Sequence, residues 1–275
     1  MLKKYPPTTS GRRKMTVSDY SLLSKEKPPK YLVKILKKSA GRDKSGQISV
    51  RHRGGGEKRK YRILSSLDKK MDMKAKIQTV EYDPNRSAFI ALVKFADNNS
   101  SYILAWEGAK AGQEVVGAEK TEIKSGNRLK LKNIPNGISI YDLELHPGQG
   151  GVLVRSAGTA ASIVAKEGKW AHVKLPSGET RKININSFAS IGQVSNLSHG
   201  FQRIGKAGRN RHLGIRPTVR GKAMHPAAHP HGGGEGVNPI GLKYPKTPWG
   251  KHALGVRTRK KNKYSRRLII QRRKK

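Results

Sequence analysis

Residues 196–275 carry 21 lysines and arginines and one acid, Glu235. A stretch with that balance cannot neutralise itself, and its apolar residues are too sparse to build a core over it. "GKAGRNRHLGIRPTVRGKAMHPAAHPHGGGEG" (205–236) shows no sustained period of two or 3.6 residues. Residues 1–62 repeat the pattern with 19 bases and 4 acids, and "KKSAGRDKSGQISVRHRGGGEKRK" (37–60) is their Gly- and Arg-rich part. Residues 63–195 are nearly balanced, with 18 bases and 13 acids. The chain therefore reads as a foldable middle with two basic arms that order only against a partner. A formal net charge of +40 calls for a polyanion.

Other partners and chemistries fit less well. No run approaches the roughly 20 apolar residues of a bilayer span, and basic amphipathic helices are absent. The start, "MLKKYPPTTSGRRK", lacks an apolar segment, so no secretory signal is expected. The absence of cysteine excludes disulfides, thiolate catalysis and cysteine zinc sites, and it fits a reducing compartment. Nucleic acid is favoured over membrane.

The middle is β-prone. "KAKIQTVEY" (74–82), "AFIALVKF" (88–95), "SYILA" (101–105) and "GQEVVG" (112–117) are short strands separated by the turn sequences "DPNRS" and "ADNNS". They predict a five-stranded OB-like barrel. "ISIYDLEL" (138–145), "VLVRSA" (152–157), "SIVAKE" (162–167), "WAHVKLP" (170–176) and "TRKIN" (180–184) predict a second, SH3-like barrel. Residues 124–137 read as the linker. The expected organisation is a basic N-terminal extension (1–60), an OB-like barrel (61–125), an SH3-like barrel (126–196) and a basic C-terminal extension (197–275).

"HPHGGGEG" (229–236) is the segment richest in chemistry. Catalytic histidines are usually oriented by a carboxylate, but Ala228 precedes His229 and no Asp follows residue 142. Ser198 and Ser265 are the only serines beyond residue 196, and neither sits in a nucleophile pattern. The spacing of His225, His229 and His231 matches no zinc pattern. Contact is favoured: Gly232, Gly233 and Gly234 would offer successive N–H groups to phosphate or 2′-hydroxyl, while the histidines hydrogen-bond or stack. "RHRGGGEKRK" (51–60) repeats His, three glycines and Glu in the other arm. No major-groove reading element and no P-loop is visible, so folded RNA is favoured over DNA.

"SGRRK", "RHRGGGEKRKYRI", "VEYDPNRSAFIALV", "LHPGQGGVLVRSAGT", the 205–236 segment and "KTPWG" together resemble the L2 family of large-subunit ribosomal proteins in its bacterial-type form, from about residue 10 to the end. The resemblance implies the two barrels, binding to 23S-type rRNA, and support of subunit assembly and association, tRNA binding and the peptidyl-transferase centre. It implies neighbouring ribosomal proteins and the small subunit as further partners, with no membrane and no small-molecule substrate. This sequence has Ala228 where the family commonly has Asp, His225 where it has Asn, and Glu57 where it has His. The residues expected to touch RNA are Arg12, Arg13, Arg51, His52, Arg53, Gly54, Gly55, Gly56, Lys58, Arg59, Lys60, Arg86, Arg155, Lys206, Arg209, Arg216, Arg220, His229, His231, Gly232, Gly233, Gly234, Lys246, Trp249, Arg257 and Arg259. No catalytic or metal residue and no cofactor is expected, with magnesium bridging to rRNA phosphate left open. Cytoplasmic ribosomes are the expected location, a plastid ribosome the alternative. The competing reading is a non-ribosomal RNA chaperone or transcription-coupled factor.

Overall fold

The structure, a computed structural model, describes residues 2–235, 238–260 and 262–273. The chain forms two units. One comprises Met1–Lys37, Lys58–Arg209 and Arg267–Lys275, the other Lys38–Glu57 and Asn210–Arg266. The architecture is mainly β, with an OB-like and an SH3-like barrel in the first unit.

In that unit β1 (Leu2–Lys4) pairs with β2 (Thr16–Ser18), and β3 (Val33–Ile35) with β4 (Lys60–Arg62), so parts of the basic N-terminal arm are stranded. The first barrel sheet contains β5 (Lys74–Glu81), β6 (Ile90–Phe95), β7 (Ser100–Leu104) and β8 (Glu114–Val116), in the order β7-β6-β5-β8. The start of β5 alternates exposed lysines with buried Ala75 and Ile77, whereas central β6 is apolar and buried nearly throughout. Four strands share this ladder rather than the expected five. The flanking chain adds the isolated bridges Leu64↔Tyr102 and Ser24↔Glu81 to this ladder, and after Leu64 the chain enters a 3-10 turn at Leu67–Lys69 rather than continuing as a fifth strand.

The second sheet is built from β9 (Arg128–Lys130), β10 (Ser139–Tyr141), β13 (Ala161–Glu167), β14 (Trp170–Lys174), β15 (Thr180–Asn184), β16 (Phe188–Ile191) and β17 (Ile269–Gln271), while β11 (Leu143–Glu144) and β12 (Gly151–Leu153) form a separate pair. All its pairings are antiparallel, in the order β17-β15-β14-β13-β10-β16-β9. Three expectations change here. Residues 124–137 are not merely a linker: β9 lies within them, because Leu129 and Leu131 are fully buried in the second core. The strand expected over 138–145 is broken at Asp142, whose backbone is left-handed at φ 47. The C-terminal arm returns as β17, where a short apolar run pairs with β15.

A buried ion cluster joins the barrels. Arg128 is 1% exposed, and its guanidinium reaches Asp68 at 2.6 Å, Asp142 at 3.3 Å and Glu144 at 3.6 Å. Glu144 also accepts N–H bonds from Gly148, Gly150 and Phe188, which fixes the turn of "HPGQGG". A buried guanidinium needs this much partnership, since desolvation would otherwise outweigh its attraction to any one carboxylate.

Candidate nucleic-acid interface

The second unit holds 18 lysines and arginines and three acids, Asp43, Glu57 and Glu235. Its fold brings the glycine segment of the N-terminal arm against residues 212–217. Arg53 bridges Ile215, Gly54 donates its N–H to the Gly214 carbonyl at 2.9 Å, and Glu57 donates to the His212 carbonyl at 3.0 Å. Arg216 returns an N–H to the His52 carbonyl at 3.0 Å. His52 is left-handed at φ 60 and places Nδ1 3.0 Å from the Pro217 carbonyl, so that nitrogen carries the proton. Gly56 is required by contact: a Cβ there would lie 2.8 Å from the Gly214 Cα. Lys38 donates to the Gly56 carbonyl, and the exposed Glu57 carboxylate pairs with His212 at 2.8 Å.

The second glycine segment is folded on itself. His229 is 8% exposed, and its Nδ1 accepts the His231 N–H at 3.0 Å. His231 Nε2 accepts the Lys246 N–H at 2.7 Å. A neutral imidazole accepting at one nitrogen carries its proton on the other, which puts the protons on His229 Nε2 and His231 Nδ1. The two rings lie 5.1 Å apart, tilted by 33°. The sequence suggested that Gly232 and Gly233 offer their N–H groups outward. They do not: Gly232 donates to the His229 carbonyl at 2.8 Å and Gly233 to the Met224 carbonyl at 3.1 Å. The turn needs glycine because a Cβ at 232 would strike the His225 carbonyl, and Gly233 and Gly234 have φ 89 and 79. Gly234 is exposed, and Gly236 of the quoted segment lies outside the described residues.

The remaining expected residues fall into three settings. Arg51, Arg53, Gly55, Arg216, Arg220, Lys246, Trp249, Arg257 and Arg259 are exposed on the second unit, with the Arg51 guanidinium over the Trp249 ring at 5.4 Å and Arg259 bonded to Ser265 Oγ at 2.9 Å. Arg12, Arg13, Lys58, Lys60 and Lys206 are exposed on the first unit, where Arg12 lies over Tyr5 and Arg209 is half-buried. Arg59, Arg86 and Arg155 are tied into the barrels. Arg59 donates to the Pro84 carbonyl at 3.0 Å, Arg86 pairs with buried Asp83 at 2.6 Å, and Arg155 pairs with Asp142 at 3.0 Å. Arg86 and Arg155 still line one cleft, together with Tyr61 and Asn85.

Sequence reasoning missed Lys38, Gly214, Gly221 and Tyr61. Gly221 is the floor beneath His229, since a Cβ there would fall 2.6 Å from the ring Nδ1. Tyr61 carries the Arg86 guanidinium at 5.4 Å. None of these has a local sequence signal, because each is defined by a residue far away in the chain. Among the described residues no three His, Asp or Glu side chains converge as a metal site. Two family models match the chain: the RNA-binding N-terminal domain of Ribosomal Proteins L2 over residues 29–117, and the C-terminal domain of the same proteins over residues 124–250.

Proposed function

The chain belongs to the L2 family of ribosomal proteins, and from that premise we propose how its basic surface is used. It is a structural constituent of the large ribosomal subunit and binds rRNA. In our reading the second unit lies along the backbone of a 23S-type rRNA. Its exposed arginines and lysines neutralise phosphates, and the two glycine segments give the chain a thin profile for close approach. The observation that carries this reading is the 18-to-3 excess of bases around two segments whose backbones are already fixed by internal hydrogen bonds. The arms, expected from the sequence to order only against a partner, thus carry hydrogen-bonded backbone of their own at these two segments, which lowers the ordering cost of meeting RNA.

The Arg86–Arg155 cleft is a second contact, reached by RNA folded against the barrels. The protein supports subunit assembly and association, tRNA binding and the peptidyl-transferase centre by shaping RNA. In our reading it performs no chemistry itself: His229 and His231 each give a ring nitrogen to a backbone N–H, and among the described residues no carboxylate bonds to either ring to orient it as a base. Neighbouring ribosomal proteins and the small subunit are its other partners. We place it in cytoplasmic ribosomes, with plastid ribosomes as the second setting, and assign it no resident metal.

Hydroxyl-radical footprinting of 23S-type rRNA tests the reading. The full chain should protect a set of riboses that loses protection when Arg51, Arg53 and Lys58 are replaced by Gln. Identical footprints would refute contact by the first glycine segment.

A further inference from the structure

We propose that the Trp249 indole is a stacking platform for one unpaired nucleobase of rRNA, with Arg51 closing the opposite side of the ring; the proposal rests on the rRNA-binding reading above. The local sequence builds the platform. Lys246 bridges His252, Thr247 N–H donates to the Lys251 carbonyl at 2.7 Å, and Gly250 N–H donates to the Thr247 carbonyl at 2.9 Å. This is the hydrogen-bond pattern of a three-residue hairpin loop. Pro248 sets the first turn position, and Gly250, at φ 75, takes the left-handed one that follows. Lys251 N–H bonds Thr247 Oγ1 at 3.2 Å, and the Tyr244 and His252 rings pack at 4.3 Å to stiffen the stem.

Trp249 therefore sits at the tip of a rigid hairpin with no core to enter, and it is 73% exposed. The Arg51 guanidinium rests over the ring at 5.4 Å, which holds one side and orients the indole. An exposed, oriented π-surface flanked by Lys246 and Lys251 matches a nucleotide: the base stacks on the ring while its phosphates meet the ammonium groups. The base must be unpaired, because an A-form helix presents edges and backbone rather than base faces. Stacking of this kind contributes about 1–3 kcal/mol per base, which is about 5- to 150-fold in affinity at 1.4 kcal/mol per tenfold.

The test measures binding of the full chain to protein-free large-subunit rRNA across a salt series, with base-specific chemical probing of each complex. Trp249→Ala and Trp249→Leu should weaken binding about 5- to 150-fold without changing the slope of log K against log salt, because no phosphate contact is lost. Trp249→Phe should retain most of the affinity. One unpaired base should be shielded by wild type and by the Phe variant and become reactive with Ala or Leu. Arg51→Gln should lower the salt slope by about one. Wild-type affinity and unchanged reactivity in Trp249→Ala would overturn the stacking proposal and leave the rRNA-binding reading standing. A loss that instead reproduces the Arg51→Gln slope would also overturn it, making the indole only a support for that arginine. Failure of the wild-type chain to bind rRNA would overturn both.

Discussion

Substitution at His229 separates contact from catalysis most cleanly. The imidazole is buried against Gly221, and its Nδ1 satisfies the His231 N–H. Replacing it by Ala leaves that N–H without its partner, which costs about 1–3 kcal/mol when the site stays closed to water. Opening of the loop limits the damage, so apparent affinity for rRNA falls by at most about 5- to 150-fold. Gln retains an acceptor of similar reach, so His229→Gln should lose less than His229→Ala. The catalytic alternative predicts a different magnitude in a different observable, since loss of a general acid or base lowers the rate about 10²–10⁴-fold. The assay is single-turnover peptide-bond formation on reassembled large subunits, normalised to occupancy of the protein. We expect His229→Gln and His229→Ala to lower occupancy while the rate per occupied subunit stays within about threefold of wild type. A hundredfold slower rate at full occupancy, with a flattened pH profile, would refute the reasoning.

Arg128→Met should lower the melting temperature sharply, because Asp68, Asp142 and Glu144 lose their shared cation; removing one partner of a buried ion pair costs about 3–5 kcal/mol, and calorimetry of the full chain reads it. Gly56→Val should open the contact between the two arms, seen as faster amide exchange at Gly54 and Arg216, because its Cβ would fall within van der Waals distance of the Gly214 backbone. Removing residues 240–275 should reduce the salt dependence of rRNA binding, and an unchanged slope would mean that the tail meets no phosphate. Hydrogen bonds from the Lys70 ammonium, then from Asn99, hold the Asp97 carboxyl down at about 2. A carboxyl lowered on folding contributes stability that is present above its unfolded value of 3.8 and lost as pH falls through 2. Asp97→Asn should therefore flatten the acid limb of the stability curve between those values, as read by urea titration at successive pH.

The sequence alone determined the division of labour in this protein. Charge density is a local property, so the need for a polyanion was legible in residues 196–275 without any structure. The alternation of Lys74–Glu81 and the apolar run Ile90–Phe95 announced strands because a period of two is written in neighbouring residues. The L2 family was legible in its long motifs. Tertiary structure decided what depends on distant residues. The carboxylates around Arg128 lie 14 to 60 positions away in the chain, so the joint between the barrels has no local signature. Leu129 reads as part of a basic linker until the core that buries it is in place. The glycines of "HPHGGGEG" look like an offered row of N–H groups, and only the folded loop shows Met224 and His229 taking two of them. Composition fixes what a segment needs, but hydrogen-bond partners are assigned by proximity in space, and proximity across long sequence separations exists only once the chain is folded.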